Sequence, residues 1–148
     1  MGDVRENAQV QQHSRPPGTP VIVDVFAEPE FRHRWRFEGG SDEGDGPIKI
    51  PEKDVGQPGT PIHFHFHPGG SGLTFLQDNE NVIWCDRNSC PTAGPKSDPE
   101  ITNINVSPML LRVMDLNQDE CTLHYNLRFS PDPDRNFYDP EIQNGGTK

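Results

Sequence analysis

Apolar residues recur at every second position in several short stretches of this chain, the period of a strand with one buried face. Phe31, His33, Trp35 and Phe37 fall on one side of such a strand, with Arg32, Arg34 and Arg36 on the other. Pro20 opens a β-branched run, Val21-Ile22-Val23-Asp24-Val25-Phe26. Within residues 62–67, Ile62, Phe64 and Phe66 share a core-facing side and His63, His65 and His67 the opposite one. Further on, Cys121, Leu123, Tyr125, Leu127 and Phe129 point inward, while Thr122, His124, Asn126 and Arg128 point out. No apolar repeat of 3.6 residues runs long enough to predict a helix.

The remaining elements follow from turn chemistry. Residues 73–77 and 82–85 flank Asp78-Asn79-Glu80-Asn81 and read as a hairpin. A strand over 101–106 stops at Ser107-Pro108, and residues 109–116 and 121–129 form a second expected hairpin around Asn117-Gln118-Asp119-Glu120. Residues 38–59 make a long surface excursion holding one edge strand, Ile48-Lys49-Ile50, and residues 85–100 make another turn-rich loop. A last edge strand, anchored by Ile142, closes the domain. The result is about seven to nine short strands, the count of an immunoglobulin-like or jelly-roll-like sandwich. The expectation is therefore an all-β fold: a single two-sheet antiparallel sandwich over residues 20–144, a flexible N-terminal tail over 1–19 and a C-terminal tail over 145–148.

Composition agrees with that architecture and narrows function. The 14 Gly and 16 Pro break helices and favour short elements joined by turns. At 148 residues a single domain buries about two-thirds of its unfolded surface, so neither metal nor disulfide is needed merely to fold. The formal charge of −10 repels nucleic acid and anionic membrane, and neither is an expected partner. No apolar run approaches the roughly 20 residues of a membrane span, and the polar N-terminal segment lacks the apolar core of a signal peptide. Three cysteines, Cys85, Cys90 and Cys121, are an odd number without zinc-site spacing, which points to a reducing cytoplasm. Cys85 and Cys90 leave two other readings open, a small disulfide loop and an oxidant sensor.

The candidate chemistry lies in Thr60-Pro61-Ile62-His63-Phe64-His65-Phe66-His67-Pro68-Gly69-Gly70. Imidazoles two residues apart on one strand face sit about 6.5–7 Å from each other and can lean onto one ion. With zinc–nitrogen bonds of about 2.0–2.1 Å, such a pair makes half of a tetrahedral site. His124, also on a polar strand face, is the expected third ligand, with His67 in reserve. Zinc or another divalent transition metal held by His63, His65 and His124 would carry a reactive water, as in a hydrolase or oxygenase. The plainer reading is a wet strand face that happens to be rich in histidine. A pH-responsive row of mutually repelling imidazolium groups is a third.

His63-Phe64-His65 resembles the zinc-binding strand of α-type carbonic anhydrases, although no third histidine follows at that family's interval. The same His-x-His resembles the first motif of cupins, whose following glutamate is replaced here by Pro68, Gly69, Gly70 and Ser71. Neither resemblance implies a catalytic role for a residue of this chain. The ending Phe137-Tyr138-Asp139-Pro140-Glu141-Ile142-Gln143-Asn144 resembles that of small bacterial β-sandwich proteins of the DP-EP type, which implies a sandwich and no established activity.

Other features read more simply. Arg32, Arg34 and Arg36 are expected to pair with acids on adjacent strands. Pro68-Gly69-Gly70-Ser71-Gly72 lacks the Lys-Ser/Thr and helix of a phosphate-cradling loop and reads as a turn. The leading expectation is a non-enzymatic module that binds a protein partner or assembles with copies of itself, using edge strands and loops. A metal-dependent enzyme is the alternative.

Overall fold

The computed structural model describes residues 16–27, 36–39, 47–133 and 140–147, with the backbone alone for residues 36–38. Within them the chain forms β1 (Val21–Phe26), β2 (Arg36–Gly39), β3 (Ile48–Ile50), β4 (Thr60–His67), β5 (Thr74–Phe75) and β6 (Ile83–Asp86). There follow β7 (Ile101–Ser107), β8 (Leu110–Asp115), β9 (Cys121–Leu127), β10 (Phe129–Ser130) and β11 (Glu141–Asn144). A 3-10 turn at Glu52–Asp54 is the one helical element among the described residues. The protein is all-β.

The strands make a five-stranded sheet in the order β2-β1-β4-β8-β7, a four-stranded sheet β3-β11-β9-β6, and a two-stranded ribbon β10-β5. The two larger sheets face each other, a sandwich-like arrangement. It departs from the expected two antiparallel sheets in two ways. β1 runs parallel to β4, and β11 runs parallel to β3. The ribbon is a third sheet. Period two tells which side of a strand is buried and nothing about its neighbour or direction. The long connection over residues 27–59 supplies the crossover that a parallel β1–β4 pair requires.

Alternation sets the core. Val21, Val23 and Val25 on β1, Ile62, Phe64 and Phe66 on β4, and Leu111 and Val113 on β8 are buried. They meet Leu123, Tyr125 and Leu127 of β9, Ile142 of β11, and Ile48 and Ile50 of β3. The Phe64 and Tyr125 rings bridge the sheets with centroids 5.5 Å apart. Phe66 packs on Phe129 at 4.7 Å and Phe75 at 5.6 Å, so the ribbon closes one end of the core. Each buried ring contributes about 1.5–3 kcal/mol of transfer free energy.

Neither predicted hairpin forms. Residues 74–75 pair with β10, where Phe75 stacks on Phe129 at 5.2 Å, and β6 pairs with β9. Residues 116–120 carry the chain from one sheet to the other, with Asn117 in the left-handed region at φ 51°. β7 and β8 form a hairpin, interrupted by a bulge between Thr102 and Asn105. β11 is an interior strand, and Ile142 is fully buried between β3 and β9. The expected tail at 145–148 is tied down through residue 147: Gly145 N–H donates to the Ile50 carbonyl, Gly146 N–H to Asn117 Oδ1 and Thr147 N–H to the Gln118 carbonyl. Gly18, expected in the N-terminal tail, donates its N–H to the Asp54 carbonyl at 3.0 Å. The alternation from Phe31 through Trp35, with Arg32 and Arg34, and residues 1–15 lie outside the described residues.

Candidate functional site

β4 is extended along its whole length, with buried and less buried positions alternating from Thr60 to His67. His63, His65 and His67 therefore emerge together on the outer face of the five-stranded sheet. Strand register sets their neighbours in rows across that face. Ile22, His63, Arg112 and Asn105 form one row, contributed by β1, β4, β8 and β7. Asp24, His65 and Leu110 form the next, and Phe26 and His67 the one beyond.

The imidazoles differ in company. His67 Nε2 lies 2.9 Å from Asp24 Oδ1, and its ring stacks on Phe26 with centroids 4.4 Å apart and planes 12° from parallel. His63 has no hydrogen-bond partner among the described residues. Partial burial, the Arg112 guanidinium and then His65 hold its imidazole below the ordinary value, so it is neutral at pH 7. Arg112 itself is exposed and makes no ion pair or hydrogen bond among the described residues. Pro61, His63, Asn103, Asn105, Arg112 and Met114 line a shallow groove of about 300 Å³ beside this row.

His124 sits elsewhere. It projects from the outer face of the four-stranded sheet, opposite Glu141 on β11 and Asp86 on β6, with Nδ1 3.9 Å from Glu141 Oε2. Its neighbour Tyr125 points inward to meet Phe64. The whole core thus separates His124 from His63 and His65, since facing sheets pack about 10 Å apart even between their backbones. The centre expected from His63, His65 and His124 is not assembled. Alternation identified both outer faces correctly, and the wrong step was taking them for the same face. Among the described residues no group of three or more His, Cys, Asp or Glu side chains is arranged to hold a metal ion.

A second polar concentration lies at one end of the sandwich. Asp115 at the end of β8, Asn144 at the end of β11, Asn117, Glu100 and Asp98 are all buried. Asp115 Oδ1 accepts the Asn117 N–H at 3.1 Å and Asn144 Nδ2 at 2.9 Å. Glu100 Oε2 accepts the N–H groups of Gln118 and Asp119 at 2.7 and 3.0 Å. Asp98 receives Arg87 through Nε at 2.7 Å and Nη2 at 3.2 Å. Burial pushes the Asp115 carboxyl up to about 7, against the lowering effect of its two hydrogen bonds and with a further rise from Glu100 and Asp98. Asp115 Oδ2 and Asn144 Oδ1 are buried without partners. This cluster was not anticipated from the sequence. Its signal was the parity of Leu111, Val113 and Asp115, which places the carboxylate inward.

Cys85, Cys90 and Cys121 are not joined in a disulfide. Cys85 is buried in the core, and desolvation raises its pKa far above the ordinary thiol range. No described helix is long and apolar enough to cross a membrane. Compared with known proteins, the chain matches no family model and no curated protein.

Proposed function

We propose that this chain is a cytoplasmic, non-catalytic binding module of the immunoglobulin-like or jelly-roll-like sandwich kind. It assembles with a second copy of itself through the outer face of the five-stranded sheet. One observation carries the reading: the row Ile22, His63, Arg112, Asn105 sets an exposed aliphatic side chain beside imidazole and an unpaired guanidinium, on a chain of net charge −10. A carboxylate of the second copy would pair with that guanidinium, which has no acid beside it in its own row. Ile22 and Met109, 42% and 40% accessible, are the exposed large hydrophobic side chains among the described residues. Isoleucine and arginine in the middle of a sheet face supply the apolar contact and the directional charge that anchor an interface.

The sheet edges suit association less well. β3 has three residues, β2 and β6 four each, and β7 is bulged, devices that blunt strand-to-strand pairing. The test is size-exclusion chromatography with light scattering on the full chain. The mass is expected to rise above the 16.6 kDa monomer with concentration. The combined Ile22→Asp and Arg112→Glu variant is expected to stay monomeric with an unchanged melting temperature. A wild type that is monomeric at every concentration overturns the proposal.

A further inference from the structure

We infer that the groove beside His63 is an oxyanion site that takes a carboxylate or phosphate group. The inference rests on the reading of this face as the binding surface and names what part of it recognises. Four side chains with hydrogen-bonding capacity converge there: Arg112, His63, Asn103 and Asn105. None of the four has a hydrogen bond or ion pair among the described residues. No acid lines the groove. Asp24, the acid of the neighbouring row, is already engaged by His67 at 2.9 Å.

The backbone holds this arrangement. His63 stands opposite Arg112 across β4–β8, and Arg112 stands opposite Asn105 across β7–β8. The bulge between Thr102 and Asn105, with Asn103 in the left-handed region at φ 51°, breaks the alternation and brings both carboxamides to the same groove. Bulges re-aim side chains in this way, and an asparagine held at positive φ is local strain of the kind found at binding sites. A guanidinium fork matches the two oxygens of a carboxylate or phosphate, and the carboxamides add N–H donors at its side. Pro61 and Met114 give the groove an apolar wall for the organic part of a ligand. Its volume of about 300 Å³ is at the small end for ligand sites, which fits a single anionic group with a modest substituent.

The group has two sources, a free small anion or an acidic side chain of the second copy. Amide NMR titration of the dilute full chain with inorganic phosphate, with benzoate, and with chloride at matched ionic strength tests the site. Saturable shifts confined to β4, β7 and β8 are expected with phosphate or benzoate and not with chloride. Arg112→Gln is expected to weaken them at least tenfold, and Arg112→Lys, which keeps the charge without the fork, to give an intermediate loss. Arg112 is exposed, so both variants fold. Light scattering in saturating benzoate separates the sources: a fall in mass assigns the groove to the second copy's acid, and an unchanged mass assigns it to a free anion. Linear shifts matching those of chloride, or unaltered affinity in Arg112→Gln, overturn the oxyanion site. If that occurs while Ile22→Asp still abolishes association, the groove inference alone falls. Saturable binding to a strictly monomeric wild type removes the assembly reading and leaves the groove.

Discussion

Asn144 donates Nδ2 to Oδ1 of Asp115 across 2.9 Å, and that bond ties the end of β11 in one sheet to the end of β8 in the other. Both residues are buried, and each keeps one oxygen without a partner. Two buried acceptors without partners are costly, by about 1–3 kcal/mol for each unsatisfied group. A proton on Oδ2 makes that oxygen a donor, so the neutral acid suits this place better than the carboxylate does.

The consequence is a defined pH dependence. The folded-state pKa of Asp115 is raised to about 7 from the model-compound value of 3.8. Its contribution is therefore fully present below about 4 and is lost as pH rises through 7, with a slope of at most about 1.4 kcal/mol per pH unit. Asp78 and Asp86 are shifted downward and act only at the acid end, whereas His63, held below its ordinary value, adds stability as pH rises towards 6.5 and does so equally in wild type and an Asp115 variant. Urea denaturation is expected to show the wild type losing stability relative to Asp115→Asn between about pH 4 and 7, and levelling off above 7. Asp115→Asn keeps the acceptor for Asn117 and Asn144, removes the titration, and flattens that profile. The variant is expected to exceed wild type by about 1–3 kcal/mol at pH 8. A wild-type profile as flat as the variant's would show Asp115 ionised at no cost.

The two faces of β4 make a sharper contrast. Phe64 has no accessible surface and touches Tyr125 across the core, whereas His65 one residue on looks outward. Phe64→Ala is expected to cost about 3–5 kcal/mol through lost burial and the cavity left behind. His65→Ala is expected to stay within about 0.5 kcal/mol of wild type. Equal losses at both positions in chemical denaturation would contradict the orientation of this strand.

Much of this was legible in the sequence because alternation is a local property. Phe64 and Tyr125 were assigned inward and His63, His65, His67 and His124 outward, and the structure agrees at each. What local pattern does not encode is which sheet a strand joins. β8 and β9 are neighbours in sequence and belong to different sheets, so His124 was set beside the wrong face. The buried acids were hidden for a related reason. Asp98 and Glu100 lie in a loop whose composition reads as solvated, and only the long-range contacts of Arg87 and residues 118–119 draw them in.

Thiol accessibility gives an independent reading of the core. Cys85 is 2% accessible and its thiolate is strongly disfavoured by burial, while Cys90 and Cys121 are partly exposed. Reaction of the native protein with a thiol-specific reagent is expected to label Cys90 and Cys121 and spare Cys85 until denaturant is added. Mass spectrometry of proteolytic peptides assigns the labels. Rapid native labelling of Cys85 would mean that β6 does not hold it in the core.

His67 and Asp24 join β1 to β4 on the outer face, yet their side chains are 47% and 40% accessible. Water competes for both partners and salt screens them, so an exposed pair of this kind contributes little. The stack of the imidazole on Phe26 is a separate, salt-insensitive contact. A double-mutant cycle with Asp24→Ala and His67→Ala is expected to give a coupling below about 1 kcal/mol in low salt, vanishing near 1 M salt. His67→Ala alone is expected to keep a small residual loss at high salt, from the ring packing. A coupling of several kcal/mol that persists in salt would require this pair to be shielded from water, and with it a covering partner over this end of the face.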